Sequence, residues 1–135
     1  MNHHEVFVSA RDAEALAATL GRHRRANPFE SDASDELADL LLGARMAAPE
    51  SLPADRVAMN STVTYVEEPT GVRRTVTLAF PHEADAAAGR ISVLSPIGLA
   101  LIGRRRGAVV TPELPNGRAL SVRIIEAHPH RKDGI

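Results

Sequence analysis

Hydrophobic residues recur at helical spacing in two segments of the first third of the chain. The first helical face consists of Ala13, Leu16, Ala17 and Leu20, in the i, i+3, i+4, i+7 pattern. Ser9 precedes this helix, and its hydroxyl is placed to accept a hydrogen bond from the amide of Asp12. We expect the helix to end before Pro28, because a residue ahead of proline avoids the helical region. The apolar residues 6–8 predict a short strand before it.

A second helix is predicted to start near Asp32 or Ser34, where Asp32 and Asp35 fit an N-cap and first-turn pair. Its apolar face comprises Leu37, Leu40, Leu41, Ala44 and Ala48. Pro49 and Pro53 are expected to end it. The short link between the two helices predicts an antiparallel helical hairpin over residues 1–54.

From residue 55 onward the hydrophobic period changes from helical to two-residue, which predicts strands. The alternating apolar positions of the first two strands are Val63, Tyr65, Val76, Leu78 and Phe80. Between them, residues 67–71 place proline and glycine as in a type I turn. The pattern therefore predicts a β-hairpin.

One short helix is predicted after a third strand at residues 91–93. Ser95 and Pro96 fit an N-cap followed by proline at the first helical position. The apolar residues 97–102 continue this helix, and Gly103 or Gly107 is expected to end it.

The last strands are predicted at Val109 and Val110 and at Leu120, Val122 and Ile124. Pro112 indicates an edge or a strand end, and residues 115–117 indicate a turn. A polar tail follows from residue 129. The whole pattern predicts an α+β fold, in which the hairpin precedes a small antiparallel sheet domain over residues 55–135.

The charge of the 135-residue chain is −1 overall but is unevenly distributed. Residues 1–54 hold five Arg and nine Asp or Glu, whereas residues 55–135 hold eleven Arg or Lys and eight Asp or Glu. Generic electrostatic binding to nucleic acid is therefore not expected. No apolar run approaches the roughly 20 residues that cross a bilayer, and the first ten residues lack a secretory pattern. We expect a cytoplasmic protein that does not engage membranes.

Cysteine is absent, which excludes disulfides and thiolate-bound zinc, and there are only four aromatic residues. Pockets for organic ligands are usually walled by aromatic rings, and no nucleotide-binding fingerprint is present. We expect no cofactor and no small-molecule substrate. His3 with His4, and His128 with His130, lack the spacing and the third ligand of a zinc site, so no metal is expected either.

Three motifs in the second half carry a family resemblance. They are M-N-S-T-V at 59–63, I-S-V-L-S-P-I-G-L-A-L-I-G at 91–103 and L-P-N-G at 114–117. Together they resemble the C-terminal domain of the GreA/GreB transcript-cleavage factors. Residues 12–14, 45–49 and 57–61 extend the resemblance over nearly the whole chain to the regulator of nucleoside diphosphate kinase (Rnk) family.

This resemblance implies an FKBP-like fold for about residues 55–127 and binding to bacterial RNA polymerase, with DNA approached only through the polymerase. The C-terminal domain would dock at the rim of the secondary channel. Rnk-like proteins are thought to compete there with Gre factors without stimulating cleavage, and they are not enzymes themselves. A cleavage-stimulating Gre-type factor is the alternative. A prolyl isomerase is disfavoured, because only Tyr65 and Phe80 offer rings in the domain.

By resemblance, the docking edge comprises Ser95, Pro96, Ile97 and Gly98, although the apolar members also suit a buried core. The basic run Arg104, Arg105 and Arg106 fits either an acidic partner surface or a solvated turn after a helix.

The hairpin tip is predicted to hold three acidic residues, Glu30, Asp32 and Asp35. In Gre factors, tip acids help to hold magnesium, a cation that prefers oxygen ligands. Here the same residues also suit the N-terminus of a helix. Helices of about 16 residues would be about 24 Å long, roughly half the length of a Gre hairpin. We therefore expect this tip to enter the channel mouth without reaching the catalytic metal.

Overall fold

The structure is a computed structural model and describes residues 6–27, 32–47, 55–112, 114, 117 and 120–129. Its elements are β1 (Phe7–Ser9), α1 (Ala10–Ala26), α2 (Asp32–Gly43), β2 (Arg45–Ala47), β3 (Thr62–Glu68), β4 (Arg73–Ala79), β5 (Arg90–Ser92), α3 (Pro96–Leu101), β6 (Val109–Val110) and β7 (Ser121–His128). Two short 3₁₀ helices, Pro81–Glu83 and Ala86–Ala88, connect β4 to β5. None of the described helices combines the length and the apolar character that a membrane span requires.

The first helix begins and ends where the sequence predicts. The hydroxyl of Ser9 accepts from the amide of Asp12 at 3.0 Å, which caps α1, and the helix ends at Ala26. Its buried face differs at one position from the apolar face predicted from the sequence. Thr19 is buried and Ala17 is exposed, because the helix presents residues spaced three apart to the core.

The second helix is shorter than predicted, since it ends at Gly43 and not near residue 48. Glycine is a poor helix former, and the chain then enters β2, which pairs in parallel with β1. The amide of Arg45 donates to the carbonyl of Val6 at 2.8 Å. A strand therefore replaces the predicted last helical turn; Ala48, Pro49 and Pro53 lie outside the described residues.

The main sheet has five strands in the order β5-β4-β3-β7-β6. Val63 and Tyr65 of β3 and Leu78 of β4 face the core, as their alternation predicts. The expectation of a wholly antiparallel sheet is wrong for one pair, because the two 3₁₀ helices carry the chain back and β5 runs parallel to β4. The turn between β3 and β4 is wider than the predicted type I turn, since the amide of Gly71 donates to the carbonyl of Glu67, four residues earlier, at 2.7 Å.

The short helix α3 and the edge strand β6 lie where the sequence predicts. Gly103 follows α3 with a φ of 77°, a left-handed conformation that ends the helix. The predicted turn at 115–117 falls mostly outside the described residues. Gly117 is described and donates to the carbonyl of Leu114 at 3.0 Å.

One hydrophobic core joins the hairpin to the sheet. Its fully buried members include Leu16 and Leu37 from the two long helices, and Val63, Leu101 and Val122 from the second half. The predicted segments 1–54 and 55–135 therefore pack on a common core. Leu40, predicted to lie between the helices, is half-buried and lines a groove beside α3 and β6.

Candidate partner-docking site

The predicted docking edge is built around the cap of α3. The hydroxyl of Ser95 accepts from the amide of Gly98 at 3.1 Å and donates to the carbonyl of Ser92 at 2.7 Å. These two bonds fix the turn that leads from β5 into the helix. Ser95, Pro96 and Ile97 are all half-buried, so each keeps part of its surface available to a partner.

Gly98 belongs to the packing beneath this edge and offers no side chain to a partner. It is buried, and a Cβ atom placed there would lie 2.1 Å from the carbonyl oxygen of Ser92. Only glycine lets α3 approach the end of β5 so closely. Gly98 therefore positions α3 against β5, while the partner contact expected from the sequence stays a prediction.

An apolar cleft of about 360 Å³ lies beside the docking edge. Tyr65, Ile91 and Ile97 contribute apolar walls, and Ser95 lies at its margin. Burial, followed by the nearby charge of Glu67, raises the pKa of the Tyr65 phenol, so this group stays neutral near pH 7. Phe80 does not line the cleft, which leaves Tyr65 as its aromatic residue among the described lining residues.

Arg104 and Arg105 lie at the other end of α3 and have different environments. Arg104 is half-buried, and burial together with the neighbouring charge of Arg56 lowers its pKa. Arg105 is exposed and pairs its backbone with Arg56 in an antiparallel bridge. The sequence gives no sign of Arg56 in this group, because 48 positions separate it from Arg104. Arg106 is also exposed.

The hairpin tip is described in part. Glu30 lies outside the described residues, and Asp32 is the first residue of α2. Asp35 is exposed and forms a 2.9 Å ion pair with Arg24 of α1, which links the two helices near the tip. The helix α2 carries four acidic residues and no basic residue, so this side of the hairpin is strongly acidic.

Within the described part of the chain, no three His, Asp or Glu side chains are arranged to hold a metal ion. His128 lies 3.0 Å from the carboxylate of Glu126. His3, His4 and His130 lie outside the described residues.

Two hydrogen bonds hold the hairpin base against the second half of the chain. The amide of Phe7 donates to the carbonyl of Gly103 at 3.0 Å, immediately after α3. The amide of Met59 donates to the carboxylate of Asp12 at 3.0 Å. The hairpin direction is therefore fixed relative to the docking edge.

Residues 52–129 match the family described as "Transcription elongation factor, GreA/GreB, C-term". The chain belongs to the GreA/GreB family, which confirms the resemblance drawn from the motifs.

Two relatives show how far along the chain the similarity to members of this family extends. The chain is 32% identical over 126 residues to "Regulator of nucleoside diphosphate kinase" of Escherichia coli, with 93% of this chain and 90% of that protein covered. It is 42% identical over 69 residues to "Transcription elongation factor GreA" of Desulfovibrio desulfuricans, which covers 51% of this chain and 43% of that protein.

A solved structure agrees over the whole fold. "Prokaryotic transcription elongation factor GreA/GreB from Nitrosomonas europaea" is 32% identical, with a TM-score of 0.72 and coverage of 93% of this chain and 98% of that one. The chain is thus a GreA/GreB-like protein whose similarity extends to a regulator over most of its length.

Proposed function

We propose that this protein is a non-enzymatic regulator of transcription that binds bacterial RNA polymerase in the cytoplasm. It occupies the mouth of the secondary channel and competes there with longer Gre factors, and it meets DNA only through the polymerase. We also propose that the sheet domain has an FKBP-like fold. The observation that carries it is the short hairpin, held in a fixed direction on a fold of the GreA/GreB family.

The length of the hairpin limits what it can reach. With 17 residues, α1 is about 25 Å long, and α2 with 12 residues is about 18 Å long. The family resemblance implies a Gre hairpin roughly twice as long, so we expect this tip to stop short of the polymerase active centre. A hairpin at the channel mouth excludes a second hairpin by steric overlap, and this exclusion requires no catalytic activity.

A cleavage-stimulating factor is the second candidate, favoured by the four acidic residues of α2. One of them, Asp35, is already paired with Arg24, which makes it less available to a metal ion. This candidate would be supported over the proposed competition if the protein shortens the transcript in backtracked complexes and the double variant Asp32→Asn/Asp35→Asn does not.

Prolyl isomerase activity is disfavoured by the composition of the cleft beside α3. An isomerase clamps proline among aromatic rings, and the described lining here offers only Tyr65. We expect no turnover of a proline-containing peptide at micromolar protein; measurable turnover would support the isomerase instead.

The docking edge can be tested by charge insertion at Pro96. Pro96→Arg adds a bulky cation at the start of α3, where the side chain is half-buried and partly accessible. We expect binding to purified core polymerase to weaken by about tenfold or more, because hot-spot contacts are worth about 2 kcal/mol or more. Val72→Arg is the matched control, since it adds the same group to an exposed site at the far end of the β3–β4 hairpin. A folded Pro96→Arg protein that binds like this control would contradict the docking assignment.

A further inference from the structure

A groove of about 490 Å³ lies between α2 and the edge strand β6, and we call it the α2–β6 groove. It is separate from the docking edge, because neither Ser95 nor Ile97 is among its described lining residues. Apolar and charged side chains line it together. The lining residues that matter here are Glu36, Asp39 and Leu40 of α2, Leu99 of α3, and Val109 and Val110 of β6.

The groove meets β6 at its open edge. Among the described strands, β6 is the last in the order of the sheet and pairs only with β7. Successive side chains of a strand point to opposite faces. A groove lined by both Val109 and Val110 therefore lies along the edge of the strand and not on one face of the sheet.

The backbone of Val109 points away from β7. The amide of Ile124 donates to the carbonyl of Ala108 at 2.9 Å. Two residues further on, Val110 lies opposite Val122 in the same register. Hydrogen bonding alternates along an antiparallel strand, so the residue between these two turns its N–H and C=O to the open edge. Val109 is also 53% exposed, which leaves this edge accessible to another main chain.

The open edge is short, which limits what can pair with it. The strand has two residues, and the second residue after it is Pro112, which has no amide hydrogen. Short edges that end in proline are protected from open-ended pairing between sheets. An occupant therefore pairs its main chain over a few residues and gains its remaining affinity from side chains in the groove.

The α2 wall of the groove favours a basic side chain. Glu36 and Asp39 are three positions apart and lie on the same side of the helix. Glu36 and Arg104, which also lines the groove, already have interaction partners in the fold. Asp39 is exposed, and no described residue forms a hydrogen bond or ion pair with it. Its carboxylate is thus available to a cation and repels a phosphate backbone.

We propose that the α2–β6 groove binds a short extended protein segment that carries both apolar and basic side chains. The segment adds to β6 at Val109 by main-chain pairing, a common mode of peptide recognition. Its apolar side chains contact Leu40 and Leu99, and a basic side chain pairs with Asp39. The inference goes beyond the proposed function, because it requires neither polymerase nor the docking edge.

The probe is a short capped peptide of alternating valine and lysine, and its valine–glutamate counterpart is the matched control peptide. We expect the lysine peptide to bind more tightly, because only its side chains complement Asp39. Hydrogen exchange of the Val109 amide, followed by NMR, should slow when the peptide binds, because an added strand accepts a hydrogen bond from this amide.

Val109→Pro tests the main-chain pairing directly. Proline removes the outward amide, and an edge strand tolerates proline where the N–H does not serve the ladder. Val109→Thr is the matched control, since threonine keeps the amide and the branched shape. When circular dichroism shows both variants to be folded, we expect Val109→Pro to bind the lysine peptide about tenfold more weakly than Val109→Thr. Exchange at Val109 in the wild type tests the same pairing without any substitution.

Asp39→Lys tests the charge of the α2 wall. We expect it to bind the lysine peptide about threefold more weakly or worse, because an attractive charge pair becomes a repulsive one. Glu14→Lys is the control, since it makes the same charge reversal at an exposed position of α1 outside the described lining of the groove. Equal binding by these two variants would contradict the role of Asp39.

The remaining outcomes decide the inference independently of the proposed function. Saturable binding of the lysine peptide with slower exchange at Val109 would support it. No saturable binding at millimolar peptide, equal binding of both peptides, or unchanged exchange at Val109 in the complex would overturn it. Exchange at Val109 that slows with protein concentration alone would identify a second copy of this chain as the occupant and would also overturn it.

Discussion

Asp12 joins the first turn of α1 to the second half of the chain by accepting a hydrogen bond from the amide of Met59. Burial raises the pKa of this carboxyl above its ordinary value of 3.8, although the Met59 amide and the nearby Arg11 act in the opposite direction. The native state therefore holds the proton more tightly than the unfolded state does. The stability that this group contributes is greatest below pH 3.8 and is lost as the pH rises through the raised native pKa.

Asp12→Asn removes this titration and keeps an acceptor for the Met59 amide. We expect the wild type to lose stability relative to Asp12→Asn as the pH is raised from below 3.8 through the native pKa. Urea unfolding of both proteins over a pH series measures the difference, and other carboxyl groups cancel in the comparison. A stability difference that does not change with pH would contradict the raised pKa.

Gly98 tests the close approach of α3 to β5. In Gly98→Ala the new Cβ atom would lie 2.1 Å from the backbone of Ser92, so the helix must move. We expect a loss of about 1–3 kcal/mol in unfolding free energy, the usual cost of overpacking. Gly43→Ala is the control, since its Cβ atom has no neighbour within 4 Å and alanine favours a helix. Equal stability of the two variants would show that the helix is not fixed at this contact.

At the scale of elements, Leu37 tests whether α2 is part of the core. Its side chain is fully buried, at 0% exposure, whereas Leu42 on the same helix is 86% exposed. Leu37→Asp buries an unpaired carboxylate and should destabilise the protein by about 3–5 kcal/mol. Leu42→Asp should change stability by less than about 0.5 kcal/mol. Chemical denaturation monitored by circular dichroism measures both, and similar effects would mean that α2 does not pack as described.

Sequence reasoning predicts well those elements whose structure depends on interactions between residues close together in the sequence. The caps at Ser9 and Ser95 involve side chains that bond three residues ahead, and the alternation of β3 directly reflects one buried face. The strand β2 was missed because it depends on pairing with β1, which lies 38 positions earlier in the register. The parallel β4–β5 pair likewise depends on a connection that shows no strong local pattern.

The proposed docking edge rests on a family motif in the sequence, and its cap geometry follows from Ser95 and Pro96. The burial of Gly98 was not predictable from spacing, because it depends on how closely α3 turns back onto the end of β5 at Ser92. Arg104 and Arg105 form a visible basic run, whereas Arg56 joins them through a bridge to Arg105 that spans 49 positions of the sequence.

At the scale of the whole molecule, the hairpin and α3 belong to one packed unit. They share a hydrophobic core, and Phe7 is bonded to Gly103 at the end of α3. A partner that fixes α3 therefore also fixes the direction of the hairpin. Acidic residues lie on α2, whereas Arg45 and Arg56 lie beside Phe7 at the base of the hairpin.

The central claim is that a short, rigidly placed hairpin blocks the polymerase channel without supporting chemistry there. Transcript cleavage in purified backtracked elongation complexes tests it most directly. We expect the protein alone to leave the transcript length unchanged, and we expect increasing amounts of it to suppress cleavage stimulated by a Gre factor. Shortening of the transcript by this protein alone, or Gre-stimulated cleavage that stays unaffected at saturating protein, would contradict the account.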